Sequence, residues 1–246
     1  MSELISIARC PALNECLSDP FTAHPCRRVV DSQRGFPDLA DARSHQLPEP
    51  WVGRLREAKL LFVSSNPSID PTEAYPTAGW PDSAIETFFE DRFQSGAIRD
   101  GTHHRTAGGT YERSRYWTEI RNRARELYGR DDVEPGRDFA LTEVVHCKSK
   151  RQYGAPEALD ECISRHLGGV LSIAAARVIV CNARLAVDAI EKQFGIVLAT
   201  GLTGPVDVAG RPRLLLRMPG PGSSGVRRID RLLNAGELAM VRRWLL

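Results

Sequence analysis

Apolar residues in this chain fall into short unbroken runs, separated by longer stretches with helical spacing. Leu60 to Val63, Phe139 to Val145, Arg177 to Cys181 and Leu214 to Met218 read as buried strands. Ser83–Phe93, Ser114–Tyr128, Pro156–Leu171 and Ala183–Phe194 read as amphipathic helices. In the second of these, Trp117, Ile120, Ala124 and Leu127 share one face, and Arg121, Arg123 and Arg125 lie off it. Arg227 to Leu246 closes the chain as a helix that Gly236 could divide. Strands alternating with helices predict an α/β fold with a central, mainly parallel four-stranded sheet. Helices on both faces would make it a three-layer α/β/α sandwich, a single domain over residues 1–246.

Residues 1–57 do not follow this pattern. They are rich in Pro, Asp, Arg and Ser, show little periodicity and carry three cysteines. An irregular segment of that length needs a fastening, which ligation through cysteine would supply. Ligands of open parallel sheets bind outside the carboxyl ends of the strands. Three such ends are chemically loaded here: Ser64-Ser65-Asn66-Pro67-Ser68, Glu143 with Cys147, and Pro219 to Gly225.

The formal charge of +2 conceals an uneven distribution. Arginine is dense from Arg92 to Arg130, and acidic residues gather between Asp70 and Asp91. A local basic stripe suits nucleic acid; the alternative is a genomic preference for arginine over lysine. No run of eighteen apolar residues occurs, so no membrane span is expected. The opening MSELISIARC lacks a basic stretch followed by an apolar one, so the expected location is the cytoplasm and the expected state a monomer.

Cys147 follows a predicted strand, and Cys162 lies in the next predicted helix. Cys10, Cys16 and Cys26 precede them. Four thiolates drawn from two distant segments suit zinc or an iron–sulfur cluster. The alternative for Cys147 and Cys162 is a pair of buried free thiols, and Cys181, at a strand end, reads as core. Between the two thiols lie Lys148, Lys150 and Arg151, a cationic surface suited to phosphate. A thiol-bound centre beneath a basic loop suggests a nucleic-acid enzyme.

In these same places the chain resembles the uracil-DNA glycosylase superfamily, nearest its bacterial and archaeal iron–sulfur branch. Four features carry the resemblance: Val63-Ser-Ser-Asn-Pro-Ser68 after the first strand; Thr142-Glu-Val-Val-His-Cys147 leading through a basic loop to Cys162; Val178-Ile-Val-Cys-Asn-Ala183; and Met218-Pro-Gly-Pro-Gly-Ser-Ser-Gly225. The likeness runs from about Leu60 to the C-terminus. It implies a base-excision repair enzyme that flips a damaged or deaminated base out of DNA and hydrolyses its glycosidic bond, with a 4Fe–4S cluster, or zinc as the lesser alternative, on Cys147, Cys162 and two of Cys10, Cys16 and Cys26.

The resemblance also implies roles. Asn66 would position water, unless Asn66-Pro67 is an ordinary turn. Glu143 would read the base or act as acid and base, unless it caps a helix or forms an ion pair. Ser65, Pro67, Ser68 and His146 would surround the base, His146 supplying the donor missing at Gly220 unless it is a surface histidine. One of Tyr75, Phe88 and Trp80 would stack on the base, and at least two of the three belong to the core. Lys148, Lys150 and Arg151 would meet phosphates, as would Arg227. Gly220, Gly222, Ser223 and Ser224 would enter the minor groove. Two departures stand out. Glu143 occupies the place of the family's uracil-reading Asn, and a carboxyl group offers both a donor and an acceptor only when protonated. Gly220 replaces a His whose donor stabilises the departing base. A non-catalytic nucleic-acid-binding relative is the competing expectation. A small-molecule enzyme with a phosphate-cradling Gly-Pro-Gly-Ser-Ser-Gly loop is a third, though that loop lacks a lysine.

Overall fold

The computed structural model describes residues 1–19, 21–221 and 228–246. In chain order its elements are α1 (Glu3–Ala8), α2 (Pro11–Ser18), α3 (Arg27–Arg34), β1 (Leu60–Ser64), α4 (Asp82–Glu90), β2 (Ile98–Arg99), β3 (His103–Arg105), β4 (Tyr111–Arg113) and α5 (Arg115–Tyr128). They continue as β5 (Phe139–Glu143), α6 (Ala155–Cys162), α7 (Gly168–Ile173), β6 (Val178–Cys181), α8 (Arg184–Phe194), β7 (Gly201–Val208), β8 (Arg211–Arg217) and α9 (Ala235–Leu245). A π turn at Ile163–Leu167 joins α6 to α7.

Alternation along the apolar runs sorts the sheet residues between two cores. Leu61, Val63, Ala140, Ile179, Cys181 and Leu215 pack against α1 to α4 and α6 to α8. Leu60, Phe62, Phe139, Leu141, Val178, Val180, Leu214 and Leu216 face α5 and α9 on the other side. Side chains alternate sides along a strand, so an unbroken apolar run is what a sheet covered on both faces requires.

The sheet has five strands, in the order β5-β1-β6-β8-β7, not the four expected. The first four are parallel, and β7 pairs antiparallel with β8. The added strand contains Gly201, Gly204 and Pro205, leaves three of its eight residues exposed and bulges between Thr203 and Val206. Glycine and proline mask a strand in sequence, and an edge is where a sheet tolerates them.

Residues 1–57 are not irregular: α1, α2 and α3 lie within them. Each is at most eight residues long, too short to show a clear period. The segment then hems the sheet, as Val52 and Leu141 exchange both backbone hydrogen bonds, at 2.8 and 3.0 Å, and cover the edge of β5. The loop containing Gly101 to Thr110 holds a small antiparallel sheet, β2-β3-β4. The closing helix begins at Ala235 behind a capping box of Asn234 and Glu237, so Gly236 sits in its first turn. No helix among the described residues is long and apolar enough to cross a membrane.

Candidate functional site

Three neighbouring parallel strands end side by side in buried polar residues. Ser64, the last residue of β1, pairs in register with Glu143, the last of β5. Asn66 lies two residues past β1, and Asn182 directly follows β6. Asn66, Glu143 and Asn182 each carry a buried polar atom with no hydrogen-bond partner among the described residues: Asn66 Oδ1, Glu143 Oε2 and Asn182 Nδ2. Buried polar atoms are rarely left so, and three together at the strand ends, where open parallel sheets bind their ligands, make this the candidate site.

The surrounding groups are held firmly. Asn66 Nδ2 donates to Ser149 Oγ at 2.8 Å and to the Pro67 carbonyl at 3.1 Å, which aims Oδ1 the other way. Ser64 Oγ donates to Asn182 Oδ1 at 2.6 Å and lies 2.7 Å from the Tyr116 hydroxyl. Glu143 is 3 % exposed. Burial first, and then the Glu49 carboxylate, push its carboxyl group well above the usual range, against the pull of Arg92 and Lys148. Burial thus favours its neutral form, which has one O–H donor and one carbonyl acceptor.

Asn66 and Glu143 line a cavity of about 430 Å³ together with Pro67, Ser68, Tyr116 and Trp117. Its charged wall is a closed network. Arg92 donates to Glu49 at 2.7 Å and pairs with Glu73, and Lys148 reaches Glu73 at 3.2 Å. The Tyr75 hydroxyl donates to Glu49 at 2.8 Å. Burial pushes the Glu73 carboxyl up, but Lys148 and Arg92 overcome it and hold it down at about 2. Removing one member of such a network strands the others as buried charges. Arg92→Met is expected to lower unfolding stability by about 3–5 kcal/mol, with Arg92→Lys recovering part of it, as read by urea denaturation. Equal midpoints for wild type and Arg92→Met would contradict this account.

A second, smaller cavity of about 220 Å³ adjoins the first, sharing Asn66, Ser68 and Tyr116 and adding Ser65, Asn182 and Gly220. A Cβ at Gly220 would lie 3.0 Å from the Asn182 carbonyl, so the backbones come close here. At the mouth of the larger cavity, Asp70, His104 and Glu112 bring one potential ligand atom each within 4.8 Å of one another. A divalent cation could bind there, although the 3.0 Å contact between His104 and Asp70 already satisfies that pair.

All six cysteines are buried and free. Cys10 precedes α2 and Cys26 precedes α3, Cys16 lies in α2, Cys147 follows β5 and Cys162 ends α6. Burial, and then Glu15 against the pull of Arg27, raise the Cys16 thiol to about 11. Burial and then Cys162, Cys10 and Cys16 raise Cys26, and burial and then Cys162, Cys26, Cys10 and Cys16 raise Cys147. Burial also lifts Cys162, to about 12, against a hydrogen bond from the His146 backbone amide. Cys181 feels no other thiol and belongs to the core. Gly154 makes the convergence feasible: its φ is +74°, and a Cβ there would lie 2.2 Å from the Val29 amide, so α6 starts directly against α3.

Other expected site residues lie elsewhere. Tyr75 and Phe88 are buried against each other and against Phe89, in the core beside the charged network, and Trp80 packs on Phe88. The aromatic side chains lining the cavity are Tyr116 and Trp117, on the face of α5 that its periodicity shows to be apolar. His146 is buried, with Nδ1 2.8 Å from the Glu49 carbonyl, and lies outside both cavities. Lys148 is not a surface cation: it is 1 % exposed, its ammonium 3.4 Å from the Tyr75 ring centre. Lys150 and Arg151 are exposed. Gly222, Ser223, Ser224 and Arg227 lie outside the described residues. Sequence reasoning did not single out Glu49, Glu73, Arg92, Tyr116 or Asn182; only Asn182, placed just past a strand, carried a readable signal. No protein-family model matches the chain, and no curated protein matches it either.

Proposed function

We propose that the protein is a DNA glycosylase of base-excision repair, acting on deaminated bases that present a lactam edge, such as uracil or hypoxanthine. The observation that carries this reading is the trio of unpartnered atoms, Asn66 Oδ1, Glu143 Oε2 and Asn182 Nδ2, around two joined cavities at the strand ends. A flipped base needs a snug pocket that reads its edge. Neutral Glu143 offers the donor and acceptor that a lactam N–H and C=O require. Asn66 Oδ1 can accept from a water and hold it, which suffices when the glycosidic bond breaks with oxocarbenium character. Asn182 Nδ2 can donate to the departing base, the task for which Gly220 has no side chain. Exposed Lys150 and Arg151 would meet phosphates, making binding weaken steeply with salt.

The thiols fit a 4Fe–4S cluster on Cys147, Cys162 and two of Cys10, Cys16 and Cys26. Four thiolates on one zinc ion, each at about 2.3 Å, would crowd within about 4 Å of one another. Five buried thiols from two distant segments can supply the four ligands of either centre, and the choice of an iron–sulfur cluster rests on the resemblance of the sequence. Bound there, the cluster would supply positive charge to thiols that burial otherwise keeps protonated, and would pin α2 and α3 to α6.

Gly220 favours a second reading, a nucleic-acid-binding relative that does not cleave. One assay separates them: the anaerobically purified protein with labelled oligonucleotides containing uracil, hypoxanthine or xanthine. Conversion of one lesion to an abasic site is expected. Salt-sensitive DNA binding without any such conversion would replace the first reading with the second.

A further inference from the structure

Beside the basic loop, an open groove of about 610 Å³ lies between the end of α3 and the turn at residues 150–153. Its lining combines two aromatic rings, Phe36 and Tyr153, with two cations, Lys150 and Arg151. Tyr153 is 50 % exposed and Phe36 is half-buried, so each ring is partly open to solvent. The Arg28 guanidinium, itself paired with Glu157, lies 4.9 Å from the Tyr153 ring centre and braces that ring. Neither Lys150 nor Arg151 pairs with a carboxylate among the described residues. Asp31, the acid in the lining, is already held by Arg27 and Arg34, so the groove as a whole is cationic.

Position ties this groove to the strand ends. Arg151 lines both the groove and the smaller strand-end cavity, and Gln152 lines that cavity too. Both residues hold left-handed backbone, at φ +53° and +61°, a costly state outside glycine that turns the loop sharply between the two hollows. A polymer leaving the cavity meets Arg151 first and the rings next. Cations interleaved with ring faces are how single-stranded nucleic acid is held, phosphates on the cations and bases stacked on the rings. A base inside a duplex is already stacked on its neighbours and has no face to offer. We propose that the groove takes an unpaired nucleotide of single-stranded DNA, adjacent to the one held at the strand ends, and that the protein therefore prefers single strands to duplex. That the neighbouring nucleotide is a flipped, deaminated one rests on the glycosylase reading; the chemistry of the groove does not.

Fluorescence anisotropy of the full chain with a labelled, undamaged thymidine oligonucleotide tests this, with the strand free or in duplex at one salt concentration. The free strand is expected to bind about tenfold more tightly than the duplex. Tyr153→Leu keeps an apolar side chain but removes the stacking face, and should erase that preference by weakening single-strand binding while leaving duplex binding unchanged. Tyr153→Trp should restore it. The site is half exposed, so both variants keep the fold, and circular dichroism checks this. Equal affinity of the wild type for the two forms would overturn the proposal. So would a preference that survives both Tyr153→Leu and Phe36→Leu, since phosphate contacts alone would then account for binding. The probe carries no lesion, so ring-dependent strand binding without any uracil excision would uphold the groove and count against the glycosylase reading alone.

Discussion

Glu143→Gln is expected to keep base excision within about tenfold of wild type, whereas Glu143→Ala loses about a thousandfold in kcat/KM. The reason is the protonation state that burial and Glu49 impose on this residue. A neutral carboxylic acid and a primary amide present the same pair of functions, one donor and one acceptor; alanine presents neither. Stability gives an independent reading with a definite sign. The folded group titrates far above its ordinary 4.5, so the folded chain keeps a proton that the unfolded chain releases. Its contribution is complete below pH 4.5 and declines as pH rises toward the folded value. Glutamine has no proton to lose, so Glu143→Gln should gain stability relative to wild type at pH 8 but not at pH 4, by denaturant titration at each pH. Excision should follow the same logic, falling at alkaline pH in wild type and staying level in the glutamine variant. If Glu143→Gln proves as inactive as Glu143→Ala, the residue transfers a proton instead of reading the base.

Cys147→Ser and Cys162→Ser are each expected to strip iron from the protein and to release the N-terminal helices. Both residues lie among thiols from α2 and α3, and a structural metal centre contributes on the order of 10 kcal/mol to the fold it closes. Iron content and brown colour should vanish together, and limited proteolysis should open residues 1–57 first. Cys181→Ala should retain all its iron, because that thiol lies apart from the other five. Among Cys10, Cys16 and Cys26, two serine variants should lose iron and one should keep it. Anaerobically purified protein that carries no iron would refute the assignment and leave five buried free thiols.

Much of this architecture was legible because its signals were local. The runs at Leu60, Phe139, Val178 and Leu214 carry enough apolar residues to bury both faces of a strand, and the structure pairs them in parallel. Placing the site at the strand ends needed only their order, and Asn66 and Glu143 do line one cavity. The misses were relational. Lys148 reads as a loop cation until Glu73 and Arg92 from distant segments enclose it. Tyr75 reads as a stacking ring until its hydroxyl is found on Glu49. The β7 strand hid because Gly204 and Pro205 look like a turn, and α1 to α3 hid because each is at most eight residues long. A buried ion network is written across the fold, and no single window of sequence contains it.

The placement of the five thiols has a consequence for biosynthesis. Cys10, Cys16 and Cys26 leave the ribosome early, and the residues that complete their constellation follow more than a hundred positions later. At about 5–20 residues per second, that interval lasts on the order of ten seconds. During it, α2 and α3 have neither β5 nor α6 to rest against, and their thiols stand open to oxidants and stray metals. If these thiols hold the proposed cluster, its assembly is a race between translation of residues 147–162 and chemical damage to the three earlier cysteines.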